Sequence, residues 1–121
     1  METRIQYPNN LQYQEVYISD MVILKNIFLQ KQNSMTVNES FGLPFLMVKK
    51  ANAIIAFACL VVNKLGKPDF MIHEVVDLNA EEKGGFKFFV EDYFKRNPSD
   101  NYRNPQQLKS TISSIVNWIN V

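Results

Sequence analysis

Phe45-Leu46-Met47-Val48-Lys49-Lys50-Ala51-Asn52-Ala53-Ile54-Ile55-Ala56-Phe57-Ala58-Cys59-Leu60-Val61-Val62 is the stretch that decides the fold. Two apolar runs flank Lys50-Ala51-Asn52, a segment of turn length, so the stretch reads as two strands folded back on each other. The second run, Ala53 to Val62, is apolar at both odd and even positions. A strand with that pattern is central in its sheet and covered on both faces. Its small residues Ala53, Ala56 and Ala58 leave room for a helix or a ligand to approach closely.

Downstream, Asn63-Lys64-Leu65-Gly66-Lys67-Pro68 is a hairpin loop, and a third strand is expected over about 69 to 76. Its alternation puts Phe70, Ile72, Glu74 and Val76 on one face and Met71, His73 and Val75 on the other. Asn79 then caps a helix, with Glu82 three residues on as a capping box requires. Phe86, Phe89, Val90, Tyr93 and Phe94 form its apolar stripe, and Asn97-Pro98 stops it. Residues 98 to 103 read as a loop. A last helix opens at Asn104-Pro105 with the stripe Leu108, Ile112, Ile115, Val116 and Ile119, leaving Trp118 off the stripe.

Upstream, residues 11 to 18 alternate as a strand, and Ser19-Asp20 forms a helix N-cap pair. The helix carries Met21, Leu24, Ile27 and Phe28 on one face, with Lys25 and Lys31 on the wet side. Residues 33 to 44 read as a loop closing on Phe41-Gly42-Leu43-Pro44. The expected fold is therefore α+β: a mostly antiparallel sheet of three to four strands packed with three helices, in the order β-α-β-β-β-α-α. A chain of 121 residues fits one domain.

Composition excludes several function classes. Thirteen basic and twelve acidic residues give a net charge of +1, so no electrostatic footprint for nucleic acid or a membrane surface is present. A solvated surface accounts for Lys95, Arg96, Arg103 and Lys109 better than a phosphate site does. The nine Phe point to core before an aromatic-lined pocket. Cys59 is the only cysteine, so no internal disulfide forms, and its apolar setting makes it a small buried hydrophobe. His73, the only histidine, is its one imidazole partner for nucleophilic chemistry and has no metal-ligand cluster around it. Met1-Glu2-Thr3-Arg4 leads into polar residues, so no secretory signal is expected and the expected compartment is the cytoplasm.

Two stretches carry candidate chemistry. Asn79-Ala80-Glu81-Glu82-Lys83-Gly84-Gly85-Phe86 joins a strand to a helix, where unsatisfied N–H groups and the helix dipole favour an anion. The glycines there either let a phosphate approach the backbone or relieve packing of the helix start against the sheet, and Glu81 and Glu82 oppose an anion. Glu74, near the end of the third strand, is either a general base on the covered face or a solvated carboxylate at an edge. Tyr93 and Tyr102 are phenols able to donate a proton to a leaving group.

Over about residues 11 to 96 these pieces resemble the GNAT-type acyl-CoA N-acyltransferase superfamily. The resemblance rests on the strand leading through Ser19-Asp20 to a helix, on Phe41-Gly42-Leu43-Pro44 before the meander, and on the hairpin from Phe45 to Ala58. The helix after Val75-Val76 sits where the family binds pyrophosphate. Of that family motif, Gly84 is matched here, while Glu81 stands in place of Gln or Arg and Phe86 in place of Gly or Ala. No strand follows Arg96 to make the family's cofactor cleft. The resemblance implies transfer of an acetyl group from acetyl-CoA to a small amine. Backbone at Lys83, Gly84 and Gly85 would hold the cofactor, and Glu74 would be the base. The alternative is a non-enzymatic module without cofactor that binds a protein partner, including a second copy through the last helix.

Overall fold

The computed structural model describes residues 5–7, 11–33 and 35–120. Four antiparallel strands form the body of one sheet: β2 (Leu11–Glu15), β3 (Leu43–Lys50), β4 (Ala53–Val62) and β5 (Pro68–Glu74). A three-residue strand, β1 (Ile5–Tyr7), extends the β2 edge. The helices are α1 (Met21–Gln32), α2 (Ala80–Arg96), the single-turn α3 (Asp100–Arg103) and α4 (Pro105–Ile119). Among the described residues no helix is long and apolar enough to cross a membrane.

The expectation of a strand covered on both faces holds for β4, where residues 55 to 60 are all buried. Ala56, Ala58 and Leu60 share one face with Glu74, Ile72 and Phe70, their partners on β5. Leu46, Val48 and Lys50 of β3 and Leu11 and Tyr13 of β2 continue that face. Helix α2 covers it, as the Tyr13–Phe86 and Phe70–Phe94 ring contacts at 5.8 and 5.6 Å record. On the opposite face lie Phe57, Cys59, Met71 and His73, covered by α1 and α4. The β3–β4 turn is made by Ala51 and Asn52, both with positive φ, as a two-residue hairpin with the twist of its strands requires.

Several boundaries differ from the sequence reading. β2 ends at Glu15. A 3-10 turn over Ile18–Asp20 precedes α1, and the Asp20 carboxylate accepts the Tyr17 N–H at 2.8 Å instead of capping α1. β5 stops at Glu74 because the N–H groups of Val75 and Val76 both turn onto the Ile55 carbonyl, at 2.8 and 3.4 Å. The expected loop at 33 to 44 contains a 3-10 turn, Glu39–Phe41, and α3 lies in the loop expected at 98 to 103. Gly42 is fixed by its surroundings: φ is +73°, and a Cβ there would lie 2.4 Å from the Leu60 carbonyl oxygen.

Lys31 and Arg103 are exposed, as the sequence reading expects, and Lys25 is half-buried, and all three also satisfy backbone carbonyls of other elements. Lys25 donates to the Ile119 carbonyl at 2.6 Å, at the end of α4, and Lys31 donates to the Glu74 carbonyl. Arg103 donates to the Phe94, Lys95 and Asn97 carbonyls at 2.6, 2.7 and 3.1 Å and lies over the Phe94 ring, capping α2. Cations at helix C-termini meet unpaired carbonyls and the negative end of the dipole.

His73 stacks on Phe57 at 4.9 Å and meets Phe28 edge-on at 5.6 Å. Among the described residues its buried Nε2 has no hydrogen-bond partner. Burial lowers its pKa, and the Lys31 ammonium adds to the effect. The unfolded chain then takes up a proton at higher pH than the native one. Stability should fall as pH drops through about 6.5 and level off below the native pKa. We expect chemical denaturation between pH 7.5 and 5 to show a smaller loss for His73→Phe than for the unaltered chain. Equal losses would mean that His73 is solvated in the native state.

Candidate functional site

The link from β5 to α2 brings together most of the residues singled out by sequence. Asn79 is the N-cap of α2, and its side-chain oxygen accepts the Glu82 N–H at 2.8 Å. The Glu82 carboxylate returns to accept the Asn79 N–H at 3.0 Å. Its other oxygen accepts from Lys50 Nζ at 2.9 Å. Lys50 is delivered to this point by the β3–β4 turn, since the register places it opposite Leu11 on the face under α2. Glu82 is thus the one charged side chain buried among the described residues, with both oxygens engaged. The Lys50 hydrogen bond, followed by the Asn79 backbone bond, holds its carboxyl below the ordinary range. A carboxyl lowered in the native state stabilises the fold above its unfolded pKa, and that contribution is lost as pH falls through the native one.

Lys83, Gly84 and Gly85 follow on the helix proper. The Lys83 N–H makes the first intrahelical bond, to the Asn79 carbonyl at 3.0 Å, so Gly84 and Gly85 lie beyond the turn whose N–H groups are left over. The two glycines have different surroundings. A Cβ at Gly84 would meet nothing within 4 Å, whereas one at Gly85 would lie 2.6 Å from the Tyr13 hydroxyl. Tyr13 is buried, wedged against Phe86 and Phe89. Of the two readings of this pair, relief of packing describes Gly85.

Glu74 projects from the end of β5 on the α2 side. Its carboxylate lies 3.7 Å from Lys83 Nζ, and it is about one-third exposed. The structure therefore joins the candidate base to the start of α2. The phenols are elsewhere. Tyr93 is ten residues along the helix from Lys83, about 15 Å at the α-helical rise. Its hydroxyl donates to Glu15 Oε2 at 2.6 Å, and burial, then Glu15, pushes its pKa up to about 12. Burial and the neighbouring Tyr93 and Glu15 raise Tyr102 further. Both hold their protons firmly. Sequence spacing gave no sign of the Glu15 contact, which joins residues 78 apart.

Cys59 and His73 share a sheet face, but the thiol is fully buried and burial raises its pKa, which suppresses the thiolate that chemistry would need. Among the described residues no cluster of His, Cys, Asp and Glu has the makings of a metal site. No protein-family model matches the chain, and neither does any curated protein or solved structure.

The glycine pair generates a test. Gly84→Ala should stabilise the protein by about 0.5–1 kcal/mol, the helical advantage of alanine. Gly85→Ala should destabilise it by about 1–3 kcal/mol, the range for overpacking. In a Tyr13→Phe background the Gly85→Ala change should become stabilising. Urea unfolding of the four variants measures all three effects, and similar gains at both glycines would show that Tyr13 does not press on Gly85.

Proposed function

We propose that the chain is a non-enzymatic interaction module that pairs with a second copy of itself, without an acyl-CoA cofactor. The observation that carries this reading is a run of exposed apolar side chains at the start of α1. Tyr17, Ile18, Val22 and Ile23 are 60, 73, 55 and 52% exposed within seven residues. Isolated apolar residues on a surface are ordinary, but contiguous ones mark contact sites. Lys25, one turn beyond Val22, holds the end of α4, which brings the last turn of that helix and the 49%-exposed Trp118 alongside. A net charge of +1 sets little repulsion between copies, and an apolar patch complements itself across a two-fold axis. The absence of a cofactor in this reading draws support from α2, whose start is already served by Glu82 and Lys50.

A second reading, acetyl transfer from acetyl-CoA to an amine with Glu74 as base, draws on the proximity of Glu74 to Lys83 at the head of α2. It requires an anion to enter beside the Glu82 carboxylate. Two measurements separate the readings. Light scattering at about 100 μM should give a dimer, and Ile18→Glu with Val22→Glu should give a monomer with an unchanged far-ultraviolet circular dichroism spectrum and a thermal midpoint that no longer depends on protein concentration. Calorimetric titration with millimolar acetyl-CoA should release no binding heat. A monomeric parent protein would end the self-association reading, and saturable micromolar acetyl-CoA binding would restore the acyltransferase one.

A further inference from the structure

β5 is the longer edge of the sheet, seven residues against the three of β1. An edge strand presents unpaired N–H and C=O groups on which another strand can build. The register says which groups these are. The Val75 N–H bonds the Ile55 carbonyl at 2.8 Å, so Val75, His73, Met71 and Asp69 turn their backbone groups toward β4. Pro68, Phe70, Ile72 and Glu74 turn theirs outward.

Three features fall on that outward set. Pro68 has no N–H to offer. The Asp69 carboxylate accepts the Phe70 N–H at 2.8 Å. Lys31, in the last turn of α1, donates to the Glu74 carbonyl. Among the described residues this leaves Ile72 as the outward-facing position of β5 with both backbone groups open. An incoming strand would meet a missing or engaged group on either side of it.

The side chains of this edge suit pairing with their own copy. Phe70-Met71-Ile72 is apolar, and Met71 is 46% exposed. Such a run on a free edge is a hazard for strand addition. Antiparallel pairing of two copies can place its two-fold axis at Phe70, Met71 or Ile72. The Phe70 N–H is a required donor in all three registers, to the Phe70, Ile72 or Glu74 carbonyl of the other copy respectively. Asp69 already holds that donor, and Lys31 holds the Glu74 carbonyl, the acceptor of the third register. We infer that Asp69 and Lys31 are edge guards, a built-in block that stops β5 from adding a strand of a second copy. The block concerns a different surface from the α1 patch and does not rest on either reading above.

The test compares the full chain with a variant carrying Asp69→Val and Lys31→Met. At equal concentration the variant should keep its circular dichroism spectrum yet scatter light with about double the parent's mass, and its Ile72 amide should exchange with deuterium about tenfold more slowly than the parent's. Asp69→Asn with Lys31→Arg, which keeps an acceptor and a donor in place, should behave as the parent does. The parent's own amides give a second reading that does not depend on the variant: Phe70 should exchange more slowly than Ile72. An unchanged mass in the folded variant, a larger mass without protection at Ile72, or equal exchange of Phe70 and Ile72 in the parent would overturn the inference.

Discussion

The strand from Ala53 to Val62 sets the constraint on which the rest of the molecule depends. Because it is apolar on both faces, neither face tolerates water, and a single layer of helices cannot satisfy it. The chain after β5 must therefore serve both sides. Helix α2 lies on the Ala56–Leu60 face, and the chain then turns through α3 so that α4 joins α1 on the Phe57 face. Tyr102 of α3 marks the turning point, with ring contacts to Phe45, Tyr93 and Phe94. Phe45 reaches them because the register slips between Pro44 and Leu46.

The start of α2 shows how one buried carboxylate closes a helix end. In a reciprocal cap, Asn79 and Glu82 satisfy two of the N–H groups that every helix leaves over. The second oxygen of Glu82 is then in the protein interior and needs a cation, which the β3–β4 hairpin supplies as Lys50. Removing Lys50 would leave the buried Glu82 carboxylate without its cation, whereas Lys50 itself is about half exposed and would be solvated. The arrangement ties the hairpin to the helix and places negative charge where the dipole favours it, the place where an external anion would otherwise bind.

Much of this was legible in the sequence, and for identifiable reasons. The central hairpin, the Asn79–Glu82 cap, the buried Cys59 and the place of Trp118 off the stripe of α4 follow from local patterns: strand parity, cap spacing and helical stripes. The carbonyl partners of Lys25, Lys31 and Arg103 did not follow. Helical spacing tells which side of a helix is wet, but the long side chains of Lys25 and Lys31 reach carbonyls far away in sequence, and Arg103 folds back onto the end of the preceding helix. The cap Glu82 was readable, while its Lys50 partner was not, since the pairing depends on strand register.

The carboxylate of Glu82 occupies the N-terminus of α2. Carbon-13 NMR titration of the Glu82 side-chain carboxyl tests it most directly. We predict a midpoint below the ordinary glutamate range, rising in Lys50→Met and unmoved by millimolar acetyl-CoA. A midpoint in the ordinary range, or one displaced by acetyl-CoA, would contradict it and reopen this helix end as an anion site.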